Sequence, residues 1–169
     1  MTSDKIIDSE LIFRPATVDD YAFVHSLSQE NMKDLVTKHW GSWNEAIFKS
    51  SFNADNITII SYGQELVGFF DWSAINFGRA YLHNIQFKSV YQGQGIGSFV
   101  LEIIEQAARQ RGLREISLKV FADSAAYNFY KANGYIVLNS DDDQIEMVKE
   151  IIINQGDESS KKRQNNQAY

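Results

Sequence analysis

Cysteine is absent from the 169-residue chain, which removes disulfides, thiolate nucleophiles and thiolate metal sites together. Histidine is scarce. His25, His39 and His83 do not stand at metal-ligand spacing on one helix face, so no metal site is expected. Positive charge is thin as well: the net charge is −6, the pI is about 5.0, and the one Lys/Arg cluster is Lys161-Lys162-Arg163. Nucleic acid, which calls for a basic face, is a poor partner. No run of about eighteen apolar residues occurs, and the segment after Met1 has no apolar core of signal-peptide type, so a cytoplasmic protein without a membrane partner is expected. What is present, 44% hydrophobic and 22% charged residues, is the balance of a globular chain able to bury one real core.

The stretch around which the rest is organised is Leu82-His-Asn-Ile-Gln-Phe-Lys-Ser-Val-Tyr-Gln-Gly-Gln-Gly-Ile-Gly97. An apolar extended run empties into Gly93, Gly95 and Gly97, and a helical pattern begins at the last of them. The first N–H groups of a helix have no partner inside it, and glycines leave no Cβ to hold an anion away. Residues 92 to 97 therefore read as a phosphate cradle.

Along the chain, residues 10 to 14 read as a strand, and Pro15 to Asp20 supply turn and helix-start signals. Tyr21, Val24, Leu27, Ser28, Asn31 and Leu35 keep helical spacing to about Val36. A shorter helix follows Trp40 and Trp43 and is broken at Asn53 to Asn56. Residues 57 to 62 and 65 to 75 form a hairpin, and Ala80 to Phe87 is the strand of the glycine motif. The helix after the glycines carries Phe99, Val100, Ile103, Ile104 and Ala107 on one face and ends at Gly112. Strand 113 to 121, helix 125 to 132 capped by Asp123 or Ser124, and strands 135 to 138 and 144 to 153 complete a single domain over residues 8 to 153. Residues 154 to 169 are polar and charged, and are expected to be a disordered tail.

A Walker loop requires Lys and Ser/Thr after its last glycine, but Gly97 is followed by Ser98-Phe99. A dinucleotide fingerprint requires its third glycine where Ser98 stands, and belongs at the first strand of its unit, whereas four strands precede this one. The third reading is a resemblance. Gln92-Gly-Gln-Gly95-Ile-Gly97 resembles the Gln/Arg-x-x-Gly-x-Gly/Ala signature of the GNAT superfamily of N-acetyltransferases, and Leu82 to Phe87 is similar to that family's central strand. Asp123-Ser-Ala-Ala126-Tyr-Asn-Phe129-Tyr130-Lys-Ala-Asn-Gly134-Tyr135 resembles its second motif, Asn-x-x-Ala-x-x-Phe/Leu-Tyr-x-x-x-Gly-Phe/Tyr.

The resemblance implies an α/β fold: one GNAT-like domain with a mixed, mostly antiparallel twisted sheet of six to seven strands and about four helices, in the order β-α-α-β-β-β-α-β-α-β-β. It implies acetyl-CoA as co-substrate, with the pyrophosphate on Gln92, Gly93, Gln94, Gly95, Ile96 and Gly97 and the pantetheine arm along the unpaired backbone of Ile85, Gln86 and Phe87. It also implies a small-molecule or peptide amine as acceptor, leaving homodimer formation open. Tyr130, at the family's tyrosine, is expected to be the general acid for the departing thiolate and to touch the donor; its alternative is packing. Relatives carry Glu at Gln86 or at Lys119, so the base is expected to be water held by Asn84, Gln86 or backbone carbonyls. His83 is a further candidate, although strict alternation places it opposite Asn84 and Gln86. Asp123 replaces the family's Asn, and is either a cofactor contact or a helix cap. Trp40 and Trp43 either stack on the acceptor or pack the second helix. The rival function is an acetyl-CoA-binding sensor without transfer.

Overall fold

β-branched and aromatic residues dominate the segments that pair, and one sheet collects all of them. A computed structural model describes residues 10–152 apart from Phe77. The expected ends of the domain at residues 8, 9 and 153, and the expected tail 154–169, lie outside the described residues. The strands are β1 (Leu11–Pro15), β2 (Ile57–Tyr62), β3 (Glu65–Asn76), β4 (Arg79–Phe87), β5 (Glu115–Phe121), β6 (Ile136–Ser140) and β7 (Gln144–Glu150). They lie in the order β1-β2-β3-β4-β5-β7-β6. Every pairing is antiparallel except β4 with β5. The helices are α1 (Tyr21–Trp40), α2 (Glu45–Ser51), α3 (Ile96–Gln110) and α4 (Ala125–Ala132). This is the fold class read from the sequence.

Helices cover both faces. Val24 and Leu27 of α1 pack with Phe48 of α2 on Ile57, Ile59 and Phe69 of the sheet. On the other face, Val100 and Ile104 of α3 and Tyr130 of α4 meet Leu82, Ile116, Leu118 and Met147. The entry to α1 is fixed by Asp20, whose carboxylate takes a bidentate pair from Arg14 of β1 at 2.7 and 2.8 Å and the Thr17 N–H at 2.8 Å. The Arg14 guanidinium holds that carboxyl down at about 2. α1 runs one turn past the expected end at Val36, because Gly41, at φ 84°, provides the stop and returns its N–H to Thr37 O at 2.9 Å.

Two irregularities shape the middle of the sheet. β4 carries a bulge: Trp72 lies opposite Leu82 but Asp71 opposite Asn84, leaving His83 as the extra residue. A bulge bends its strand and raises the local twist. β4 pairs with β5 only at Arg79–Glu115, Ala80–Ile116 and Tyr81–Ser117, and beyond Tyr81 the two strands part. The second is Gly68, opposite Phe87: a Cβ there would lie 2.4 Å from Gln86 O and 2.6 Å from the Phe87 ring.

Gly68→Ala should therefore force β3 off the open end of β4. The expected loss is about 1–3 kcal/mol of stability in urea unfolding, and wild-type stability in that variant would refute the close approach.

Candidate functional site

Where β4 and β5 part, a cavity of about 1010 Å³ opens between them, bounded by the glycine loop, α4 and the C-terminal half of α1. Gly93 and Gly95 stand at φ 72° and 88°, and Gly95 is the left-handed N-cap of α3. The first bond into the helix is Phe99 N–H to Gly95 O, so the N–H groups of Ile96, Gly97 and Ser98 lack acceptors within it. A Cβ at Gly93 or Gly95 would meet nothing within 4 Å, so this side of the loop is open. Such a helix terminus favours an anion by its dipole and its free donors.

Gly97 serves a different purpose. A Cβ there would sit 3.0 Å from the Phe129 ring, so glycine lets α4 lie across the first turn of α3. This contact carries Tyr130 to the cavity wall. The Tyr130 ring meets Phe129 edge-on at 5.1 Å and Tyr135 at 5.4 Å. Its hydroxyl has no hydrogen-bond partner among the described residues, and burial pushes its pKa far above the usual tyrosine value.

The backbone of β4 presents a narrower opening than the sequence suggests. Gln86 C=O faces β3, close to Gly68, so by alternation the polar groups of Ile85 and Phe87 face the gap. Phe87 O is already occupied: Gln92 Nε2 donates to it at 2.8 Å and Asn31 Nδ2 at 2.9 Å. Ile85, with both its N–H and C=O, and the Phe87 N–H are left for an extended ligand.

On the α1 side, Asn31 Nδ2 also donates to Gln86 Oε1 at 2.8 Å, and Gln86 Nε2 donates to Asn84 Oδ1 at 2.7 Å. The Gln86 carboxamide is thus held at both ends. Asn31 was not among the candidate residues; its signal was a polar side chain standing at helical spacing between Leu27 and Leu35. His83 corrects the alternation argument. Because the bulge inserts it, it shares the α1 face with Tyr81, whose ring lies 4.9 Å away, and its Nε2 is 2.9 Å from Ser73 Oγ.

The cavity wall includes Ile85, Gln92, Asp123 and Trp40 of the expected residues. Three others do not line it. Ile96 is buried in the core, Gln94 turns its amide to Val90 O at 2.8 Å, and Trp43 packs on Phe48 at 5.4 Å and His25 at 6.2 Å between α1 and α2.

Asp123 is not the helix cap, a position held by Ser124. It ties the end of α1 to the end of β5 through Lys38 and through His39 Nε2 at 2.8 Å, while His39 Nδ1 lies 3.3 Å from Asp143. The His39 ring stacks on Phe121 at 4.5 Å and 9°. Asp123 and then Asp143 raise the His39 pKa, and Lys38 with His39 lowers that of Asp123 to about 2. Since the His39 value is raised by folding, its contribution is complete below the ordinary histidine range and is lost as pH rises through the raised value.

A family model described as the acetyltransferase (GNAT) family matches residues 21–135. The chain belongs to the GNAT acetyltransferase family. It is an acyltransferase by that membership. The "Uncharacterized protein YxbD" of Bacillus subtilis (strain 168) is 32% identical over 111 residues, 61% of this chain and 68% of that one. The thialysine N-epsilon-acetyltransferase of Bos taurus is 31% identical over 77 residues, spanning 45% of this chain and 44% of that enzyme. The PaiA N-acetyltransferase of Thermoplasma acidophilum in complex with coenzyme A superposes with a TM-score of 0.68 at 19% identity, over 83% of this chain and 98% of that one. The ribosomal-protein-S18-alanine N-acetyltransferase of Escherichia coli gives 0.66 at 20%, over 86% and 97%. These structural likenesses show the GNAT fold. Among the described residues no helix is long and apolar enough to cross a membrane, and no group of three or more His, Cys, Asp or Glu is placed to hold a metal ion.

The tie at the end of α1 predicts a titration. By NMR, the His39 imidazole should keep its proton to a higher pH than free histidine, and Asp123→Asn should bring its midpoint down; a midpoint unmoved by that change would refute the pairing.

Proposed function

We propose that this GNAT enzyme transfers the acetyl group of acetyl-CoA directly to a primary amine of a small molecule or peptide within a ternary complex. The observation that carries this reading is the placement of Tyr130 on the wall of one cavity, between the open glycine loop and the α1 face of β4. The residues present suit the donor. Free N–H groups at Ile96, Gly97 and Ser98 would bind the pyrophosphate, and Ile85 with the Phe87 N–H would hold the pantetheine amides as a neighbouring strand would. Acetyl-CoA supplies the activated acyl group.

Tyr130 donates its proton to the departing sulfur. Its raised pKa keeps it protonated throughout the working range. The same burial that makes its phenolate unfavourable makes a bare thiolate unfavourable too, which keeps the proton transfer balanced. Asn84 and Gln86, fixed through Asn31, would position the amine or a water beside it, with His83 on the same face. Trp40, whose edge meets Phe121 at 5.0 Å, offers an exposed aromatic face at the acceptor end. The named relatives act on thialysine in one case and on a protein alanine in another, and both present an amine. A sensor that binds acetyl-CoA without transfer is the second reading, favoured by a carboxamide, Gln86, standing hydrogen-bonded at both ends where a carboxylate base would serve.

Saturating acetyl-CoA should raise the melting temperature of the wild type, since it binds the native state alone. Tyr130→Phe removes no hydrogen bond among the described residues, so it should keep acetyl-CoA affinity within a few-fold while kcat for CoA release falls about 10²–10⁴-fold. Unchanged kcat would remove Tyr130 from the chemistry, and binding without turnover across polyamines, amino acids, aminoglycosides and peptide N-termini would favour the sensor.

A further inference from the structure

β3 runs Val67-Gly-Phe-Phe-Asp-Trp72, and Asp71 is the one charged residue in that stretch. Its Oδ1 is buried with no hydrogen-bond partner among the described residues, and burial pushes its pKa up. A carboxylate oxygen buried without a partner opposes folding. Groups held in such a state concentrate at functional sites.

The bulge in β4 brings a histidine beside it. His83 is the residue inserted between Leu82, opposite Trp72, and Asn84, opposite Asp71, and it faces the same side as Ser73. Its positive form interacts with the Asp71 carboxyl and draws the Asp71 pKa back down. His83 lines the cavity, while Asp71 is not among the lining residues.

We propose that His83 accepts the proton of the acceptor ammonium and that Asp71 is the positioning residue that stabilises the imidazolium so formed. The proposal rests on the reading of the cavity as an amine acetylation site. In it, His83 Nε2–H donates to Ser73 Oγ, which leaves Nδ1, without a partner among the described residues, to receive the proton. The ammonium N–H bond breaks, its electrons stay on nitrogen, and the proton passes to Nδ1. The amine then forms the C–N bond at the acetyl carbonyl as the C–S bond breaks. The sulfur takes the Tyr130 proton, Tyr130 recovers one from the new amide nitrogen through water, and His83 releases its own to solvent. One ammonium and one thioester thus give one amide, one thiol and one proton.

Three of the other groups around His83 are poor proton acceptors. Gln86 is a carboxamide, and burial and Glu146 push the Tyr81 pKa up, keeping it protonated. Lys119 of β5 is a cation 3.8 Å from Asp141. Glu146 of β7, opposite Lys119 in the register, is among the described residues the one carboxylate whose charge reaches Tyr81, and a limb that persists in His83→Gln would point to it. The α1 residues that line the cavity, from Asn31 to Trp40, are uncharged.

The test measures kcat/KM against pH for the full chain, together with histidine-ring NMR titrations of the wild type and Asp71→Asn. The proposal expects the rate to fall on the acid side in a limb that Asp71→Asn moves to lower pH, with the His83 resonance moving alike and the melting temperature unchanged or higher. Asp71→Glu should restore the limb. His83→Gln, a change at an exposed residue, should lower kcat about 10²-fold or more and abolish the limb. A limb that persists in His83→Gln, or one unmoved in Asp71→Asn while the wild type turns over, overturns this assignment and leaves acetylation standing. No turnover of any amine by the wild type overturns both the acetylation reading and the proton role, even where the NMR shift shows the two side chains coupled.

Discussion

The structure depends on the parting of β4 from β5 after three paired positions. A parallel pair held further along would fill the centre of the sheet with hydrogen bonds and leave no space for a ligand. The inserted His83 and the approach of Gly68 to Phe87 act at the same segment: one adds twist to β4, and the other presses its far end toward β3. The result is a strand bonded on one edge and open on the other, so that peptide groups which folding normally satisfies internally are left for a ligand.

Around that gap the two motifs act as one object. The glycine loop ends in a helix N-terminus, and the tyrosine segment is laid over it by the contact between Gly97 and Phe129. The last of the three loop glycines is needed less for backbone freedom than for the absence of a side chain under an aromatic ring. The other two, at positive φ, turn the chain and keep the loop open. The glycine loop and the Tyr130 hydroxyl are therefore placed by packing, with no hydrogen bond fixing Tyr130 among the described residues.

What could be read from the sequence was what local chemistry determines. The glycine spacing, the amphipathic stripe of α3 and the turn at Asn133-Gly134 each act within a few residues, and the fold class followed from their order. The position of His83 was not legible, because a bulge is a relation between two strands: only the register with β3 shows which residue is extra. Asp71 escaped for the same reason, since the insertion is what brings the charge of His83 within reach of it. The fate of Asp123 depended on α1 running on to Trp40, which brings Lys38 and His39 to it across a long span of sequence. Trp40 and Trp43, close in sequence, were separated by the turn at Gly41, with the first at the cavity and the second between two helices.

The Phe87 carbonyl has a consequence of its own. This oxygen receives Gln92 from the loop that would grip the donor and Asn31 from the helix that would wall the acceptor. Its lone pairs are a shared resource: a ligand that draws either amide away alters how firmly the other is held. Whatever free energy one half of the cavity communicates to the other by this route is returned in equal measure, because such coupling is reciprocal. Two ends of one cavity that a diagram would show side by side are joined here at a single atom.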